Sequence, residues 1–441
     1  MCGSGEIPRL KKKGLGKKMS VNKYFAFAGF EPFQNLTSRC NPMLRVAVKL
    51  VSLLKTSNMK KFFLFISCLF FVASVFAQDV AKLEELMTAY TNQYKFNGAV
   101  LVSYKGKVLL DKGYGLRNAS DKIPNDQNSI FQIGSVTKQF TSTVILKLQE
   151  EKKLNVSDKL SKYFPDYPKG DSITIEHLLT HTSGIYSYTS DPDFMQNEVS
   201  KPANRQKMMA LFKDKPLLFS PGTKWDYSNS AYSLLGYIIE DVEKMPYEKA
   251  VRRYIFTPLG MSHSGFDFTH LSSRDKATGY FRLTSDKNEL APIVDSSVSF
   301  SAGAIYSTTG DLYKWYQSLQ NNTVIKKASK EKAQTPFMNK YGYGWGIDTV
   351  AGKKSVGHSG GIHGFNTNMV SIPEDNACVI LLANVANPNL DKITKDISAI
   401  LYNLPYELPK EKIAISLPEE VLKQYVGVYE LSPQLVVTIR V

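Results

Sequence analysis

From residue 79 to 94 the apolar side chains fall at Val80, Leu83, Leu86, Met87 and Tyr90, the spacing of one helix face. The period then changes. Residues 98–104 and 108–113 are β-type runs on either side of Lys105-Gly106-Lys107, which predicts a hairpin. Helical spacing returns over 135–152, with Val136, Phe140, Val144, Ile145 and Leu148 on one side. Residues 154 to about 300 mix short helical patterns with loops, and the clearest helix there runs from Asn229 through Leu234, Leu235 and Ile238 to Val242. Strand signals reappear at 341–347, 354–360, 366–372 and 377–383, and residues 390–401 read as a closing helix. The first and last strands must therefore meet in one antiparallel sheet, leaving the helical middle as a second lobe. This is an α/β (α+β) arrangement.

The ends of the chain carry other patterns. After residue 403, Pro405, Pro409 and Pro418 mark 404–420 as a linker, and 421–441 alternates like the start of a truncated β-rich module. Near the other end, Met59-Lys60-Lys61 precedes an uncharged apolar run over 62–76, and Val75-Phe76-Ala77 obeys the small-x-small rule. Residues 59–77 thus predict a cleaved export signal, with Gln78 first in a periplasmic or secreted protein. The run falls short of the ~20 residues that span a bilayer, so no stable membrane span is expected after cleavage. Cys68 lacks the small residues that precede a lipid-modified cysteine. Residues 1–58 are set aside as a non-native or disordered extension, and 78–403 is the main domain.

Charge changes the picture only by its location. The formal net charge is +15, but residues 1–61 hold 13 basic residues against 2 acids. From Gln78 onward the two signs nearly balance, which excludes a polyanionic partner such as nucleic acid. Of Cys2, Cys40, Cys68 and Cys378, only the last follows the predicted cleavage site, within an apolar run. It is expected to be a small buried hydrophobe, and no disulfide can form within the mature chain.

Three polar motifs interrupt the apolar pattern. Ser135-Val136-Thr137-Lys138 sets a hydroxyl and an amine one helical turn apart, just after Gly134. The same S-x-x-K pattern occurs at Ser20, Ser52, Ser57, Ser273 and Ser329, so alone it carries nothing, and Ser135 reads equally well as a helix N-cap. Tyr227-Ser228-Asn229 follows a turn and opens a helix, which Asn229 could equally cap. His358-Ser359-Gly360 with Gly361 forms a polar strand that a substrate backbone can approach closely. His177 and His181 are spaced four apart but lack the Glu of H-E-x-x-H, and His363 adds no case for a third ligand. No metal and no cofactor is expected.

In this order and with these gaps the three motifs resemble the serine β-lactamase-like family of class C β-lactamases, DD-carboxypeptidases, D-aminopeptidases and related esterases. Residues 176–185, 221–229 and 301–312 carry the resemblance further, which covers about 83–401. It implies the β-lactamase/penicillin-binding-protein fold and acyl transfer through a serine ester. Ser135 would be the nucleophile. Lys138 and Tyr227 would share the base and proton-shuttle roles, in either assignment. Asn229, His358, Ser359 and Gly360 would bind substrate, and the N–H groups of Ser135 and Gly361 would form the oxyanion hole. Class C β-lactamases carry Lys-Thr-Gly where this chain has His358-Ser359-Gly360. An exported hydrolase of D-amino-acid peptides or amides, or of esters, is therefore expected, with weak or no β-lactamase activity. The rival is a catalytically weak penicillin-binding or sensor protein of the same fold. Specificity is expected in loops around 186–195 and 284–294.

Overall fold

The computed structural model describes residues 79–386, 388–410, 416–432 and 435–440. The expected leader at 59–77, the extension before it and Val441 lie outside the described residues. The main elements are α1 (79–92), β1 (Gly98–Tyr104), β2 (Lys107–Tyr114), α2 (Thr137–Glu150), α3 (Asn229–Glu243), α4 (Ser296–Gly303), β3 (Gly346–Val350), β4 (Lys353–Ile362), β5 (Phe365–Ile372), β6 (Ala377–Ala383) and α5 (Leu390–Leu401).

The six strands form one antiparallel sheet in the order β2-β1-β6-β5-β4-β3. The first strand therefore meets the last strand of the sheet at the β1–β6 pair, as the strand pattern required. β6 is buried along its whole length, and its side chains divide by the two-residue period of a strand. Cys378, Ile380 and Leu382 enter a large core with α2, α3 and the helical middle. Val379, Leu381 and Ala383 enter a second core under α1 and α5. Tyr90 of α1 donates a hydrogen bond to Asp396 of α5, tying these two helices across the outer face.

One predicted strand is corrected. Residues 341–345 form a tight turn and β3 begins only at Gly346. Gly342 N–H bonds the Trp345 carbonyl at 2.8 Å, and Gly344 takes φ +84°. Tyr341, Tyr343 and Trp345 are all buried by this turn. The predicted helix over 135–152 opens instead with a 3₁₀ turn, Gly134–Val136, ahead of α2.

Residues 404–410 and 416–418 have no regular structure, a short helix follows at Glu419–Lys423, and Gly427–Ser432 pairs antiparallel with Leu435–Ile439. Among the described residues no helix is long and apolar enough to cross a membrane.

Candidate active site

Ser135 lies in the 3₁₀ turn that feeds α2. No side chain caps either the turn or the helix, so the Ser135 hydroxyl is not taken up by backbone donors. One turn on, Lys138 is completely buried. Its Nζ lies 3.1 Å from Ser135 Oγ, 2.7 Å from Asn229 Oδ1 and 2.8 Å from the Ala302 carbonyl. Neither of the latter two acceptors bears a formal charge, so burial drives the amine well below the usual lysine range.

The Ala302 carbonyl owes its direction to a break in α4. Phe300 takes φ +37°, ψ −133° inside the helix, held there by its ring against Tyr237 and Tyr247 at 5.0 and 5.1 Å. A non-glycine residue keeps such a conformation only when its surroundings enforce it.

Tyr227-Ser228-Asn229 divides its work residue by residue. Ser228, not Asn229, caps α3, accepting the Ala231 N–H at 3.2 Å. The Asn229 side chain is thereby free to place Oδ1 on Lys138 while Nδ2 donates to Thr189 Oγ1 at 3.0 Å. Tyr227 is raised above the ordinary phenol range by burial, opposed by its hydrogen bond with Ser135. His181 frames this segment from behind. It takes φ +59°, its Nδ1 accepts the Ser228 N–H at 3.1 Å, and its ring lies 4.2 Å from that of Tyr227. Burial keeps it neutral. His177 accepts the Thr174 N–H in a capping box, so each imidazole of the spaced pair serves the backbone.

β4 forms the opposite wall. Its pairing with β3 ends at Gly357↔Gly346, whereas its pairing with β5 continues to Ile362↔Phe365. A Cβ at Gly360 would fall 2.0 Å from the Ile133 carbonyl and 3.1 Å from Ser135 N. One at Gly134 would fall 2.9 Å from Gly361 N. Only glycine permits this approach, which sets the backbone nitrogens of Ser135 and Gly361 along the same cleft. His358 engages both ring nitrogens: Tyr341 O–H donates to Nε2 at 2.8 Å, and Nδ1–H donates to the Ser359 carbonyl. Burial, reinforced by the Lys138 amine, pushes its pKa down to about 4.

Two hollows are lined by these residues. One, of about 470 Å³, is lined by Ser135, Tyr188, Thr189, Asn229, Val298 and His363 among others. The other, of about 710 Å³, is lined by Trp225, Tyr227, Tyr341, His358 and Ser359 among others. All eight residues singled out in the sequence thus converge: Ser135, Lys138, Tyr227, Asn229, His358, Ser359, Gly360 and Gly361. Of the expected specificity loops, Tyr188, Thr189, Met195 and Val294 line the first hollow, while 284–288 line a different one. The Ala302 carbonyl and Tyr341 were not singled out, and His181 was considered only as half of a spaced histidine pair.

A serine paired with a buried lysine, a Tyr-x-Asn segment and a glycine-rich strand on one antiparallel sheet define a class, and comparison agrees: the chain belongs to the β-lactamase family, whose profile matches residues 80–403. Among its relatives are penicillin-binding protein PbpX of Bacillus subtilis, 34% identical over 68% of this chain and 73% of the relative, and penicillin-binding protein 4* of the same organism, 31% identical over 79% and 82%. The octameric penicillin-binding protein homologue of Pyrococcus abyssi superposes with a TM-score of 0.67 at 29% identity, covering 82% of this chain and 90% of that one. The D-amino acid amidase of Ochrobactrum anthropi shares the fold, with a TM-score of 0.61 at 23% identity over 69% and 93%.

Proposed function

We propose that this protein is a serine hydrolase that works through an acyl-enzyme on Ser135 and cleaves amides or esters whose leaving group is uncharged. The observation that carries the first half is the bonding of Lys138. A neutral amine has two N–H donors and one lone pair. Asn229 Oδ1 and the Ala302 carbonyl take the donors, which leaves the lone pair for the Ser135 O–H. Lys138 is then the general base, and Tyr227, kept protonated by its burial, is the proton donor.

As Ser135 Oγ bonds to the substrate carbonyl carbon, its proton passes to Lys138 Nζ. The carbonyl oxygen takes up negative charge between the N–H groups of Ser135 and Gly361, where one such donor is worth roughly 3–4 kcal/mol in the transition state. The carbonyl-to-leaving-group bond then breaks, Tyr227 protonates the departing nitrogen or oxygen, and the Lys138 proton restores the phenol. Water repeats the sequence to release the acid.

The second half rests on His358. With Tyr341 on Nε2 and the Ser359 carbonyl on Nδ1, it has no free N–H for a substrate carboxylate, and it is neutral above about pH 5. Lys340 also lines the hollow beside Tyr227 and His358, into which a leaving group protonated by Tyr227 would depart, but it is paired with Asp348 at 2.9 Å. This disfavours penicillins and D-Ala-D-Ala termini relative to amino-acid amides and simple esters. The likeness in fold to a D-amino acid amidase is consistent with that preference. The names of the Bacillus relatives favour a second reading, a penicillin-binding protein whose acyl-enzyme turns over slowly.

Side-by-side assay on D-amino acid amides, nitrophenyl esters, a D-Ala-D-Ala peptide and a chromogenic cephalosporin separates the two readings. Intact-mass analysis after treatment with a fluorophosphonate tests both, since each requires one adduct that Ser135→Ala abolishes. We further propose export through the leader at 59–77, which its basic head and apolar run support.

A further inference from the structure

The hollow on the Asn229 side of Ser135 holds one group that neither the catalytic set nor the core uses. His363 occupies the two-residue turn between β4 and β5, beyond the Ile362↔Phe365 pair. The turn is clamped from outside: a Cβ at Gly364 would fall 2.7 Å from Ala291 Cβ and 2.8 Å from Gly279 Cα. The imidazole is held edge-on against Phe281 at 5.6 Å. The packing of Gly364 against Gly279 and Ala291, with Phe281 against the ring, holds His363 in the wall of the hollow that Ser135 and Asn229 also line.

Its hydrogen bonding is incomplete. Nδ1 is sealed from solvent, and among the described residues nothing bonds to it. A proton there would be a buried, unpaired N–H, so the neutral ring carries its proton on Nε2. Burial lowers the pKa and keeps the ring neutral. The rest of the hollow is apolar or uncharged: Met195, Val199, Val294, Val298 and Ile362 supply an apolar part of its wall, and among the described residues no carboxylate, Lys or Arg lines it. A free ammonium on the acyl part of a substrate would meet no counter-charge there, and a carboxylate would meet no cation.

We propose that His363 is a specificity-determining residue for the acyl half of the substrate, donating its Nε2–H to an uncharged oxygen carried on a short apolar acyl chain. An ether, hydroxyl or N-acyl oxygen has the required chemistry. The proposal rests on the serine-hydrolase reading of Ser135, and within the amides and esters named above it places N-acylated amino-acid amides and oxygen-bearing esters ahead of free amino-acid amides, whose acyl half carries an ammonium.

Two nearly isosteric esters test it, 4-nitrophenyl methoxyacetate and 4-nitrophenyl butyrate, which differ by one ether oxygen in place of a methylene. Each variant is compared with the wild type on each ester, so intrinsic reactivity cancels. For His363→Ala the ratio of kcat/KM on methoxyacetate to that on butyrate is expected to fall about five- to tenfold, the worth of one neutral hydrogen bond. His363→Gln, which keeps a donor, is expected to restore most of that ratio. An unchanged ratio in a folded His363→Ala protein, or an equal loss on both esters, overturns the proposal while Ser135-dependent turnover keeps the hydrolase reading intact. Failure of the wild type to hydrolyse either ester or to form any adduct at Ser135 removes both.

Discussion

Lys138 Nζ lies closer to Asn229 Oδ1, at 2.7 Å, than to Ser135 Oγ, at 3.1 Å. The amide does more than await a substrate: it takes one N–H of the amine and so helps aim the lone pair at the serine. Lys138→Met, which keeps the length and removes the nitrogen, is expected to lower kcat on a nitrophenyl ester by about 10²–10⁴, the usual contribution of a general base. Asn229→Leu should cut kcat as well as raise KM. A change in KM alone would mean that the contact with Lys138 is idle.

The pH profile follows from the same burial. Acylation needs the neutral amine, so its rate rises with pH as Lys138 loses its proton, on a limb displaced below the ordinary lysine range. His358, at about 4, should add no inflection between pH 5 and 8. Stability has the same sign. The folded value of His358 lies below the ~6.5 of an unfolded chain, so the unfolded state binds more protons between those values. Its contribution is complete above about pH 6.5 and is lost as pH falls toward 4. Urea melts at pH 4.5 and 7 should show a smaller difference for His358→Gln than for the wild type.

The leaving-group side can be recharged. His358→Lys sets a fixed cation where the wild type has a neutral ring occupied on both nitrogens. Acylation by a penicillin is expected to accelerate about tenfold, in line with a hydrogen bond to a charged group. Turnover of uncharged esters should not gain. If the penicillin rate stays flat while the protein remains folded, something other than His358 limits that reaction.

Gly360→Ala tests the approach of strand and turn. The added methyl meets the Ile133 carbonyl at 2.0 Å, so β4 must withdraw from Ser135. A loss of about 10²-fold or more in kcat is expected, the cost of misplacing an oxyanion donor. Thermal melting and adduct formation together distinguish a displaced strand from a protein that has unfolded.

Much of this architecture is visible in the order of residues. The 3.6-residue period of Val136–Leu148 and the continuous apolar run of β6 identify α2 and a doubly buried strand without reference to neighbours. Ser135, Tyr227 and His358 carry their chemistry in their side-chain types. What escapes is whatever the backbone supplies. The Ala302 carbonyl meets the Lys138 amine just past the break in α4 at Phe300, and no side chain at 302 announces it. His181 reads as half of a metal pair until its left-handed backbone turns Nδ1 onto Ser228. The run at 341–345 alternates like a strand, yet Gly342 and Gly344 fold it into a turn that brings Tyr341 to His358.

β4 is paired with β5 from Val356 to its end at Ile362, but with β3 only from Lys353 to Gly357. From His358 onward the sheet is unfinished where Ser135 stands beside it. On the proposed mechanism, an extended substrate would supply the missing stretch of backbone and become, for the lifetime of its ester with Ser135, a seventh strand. Recognition of that kind reads the hand and extension of a chain before any side chain, and product release is then the unzipping of a sheet.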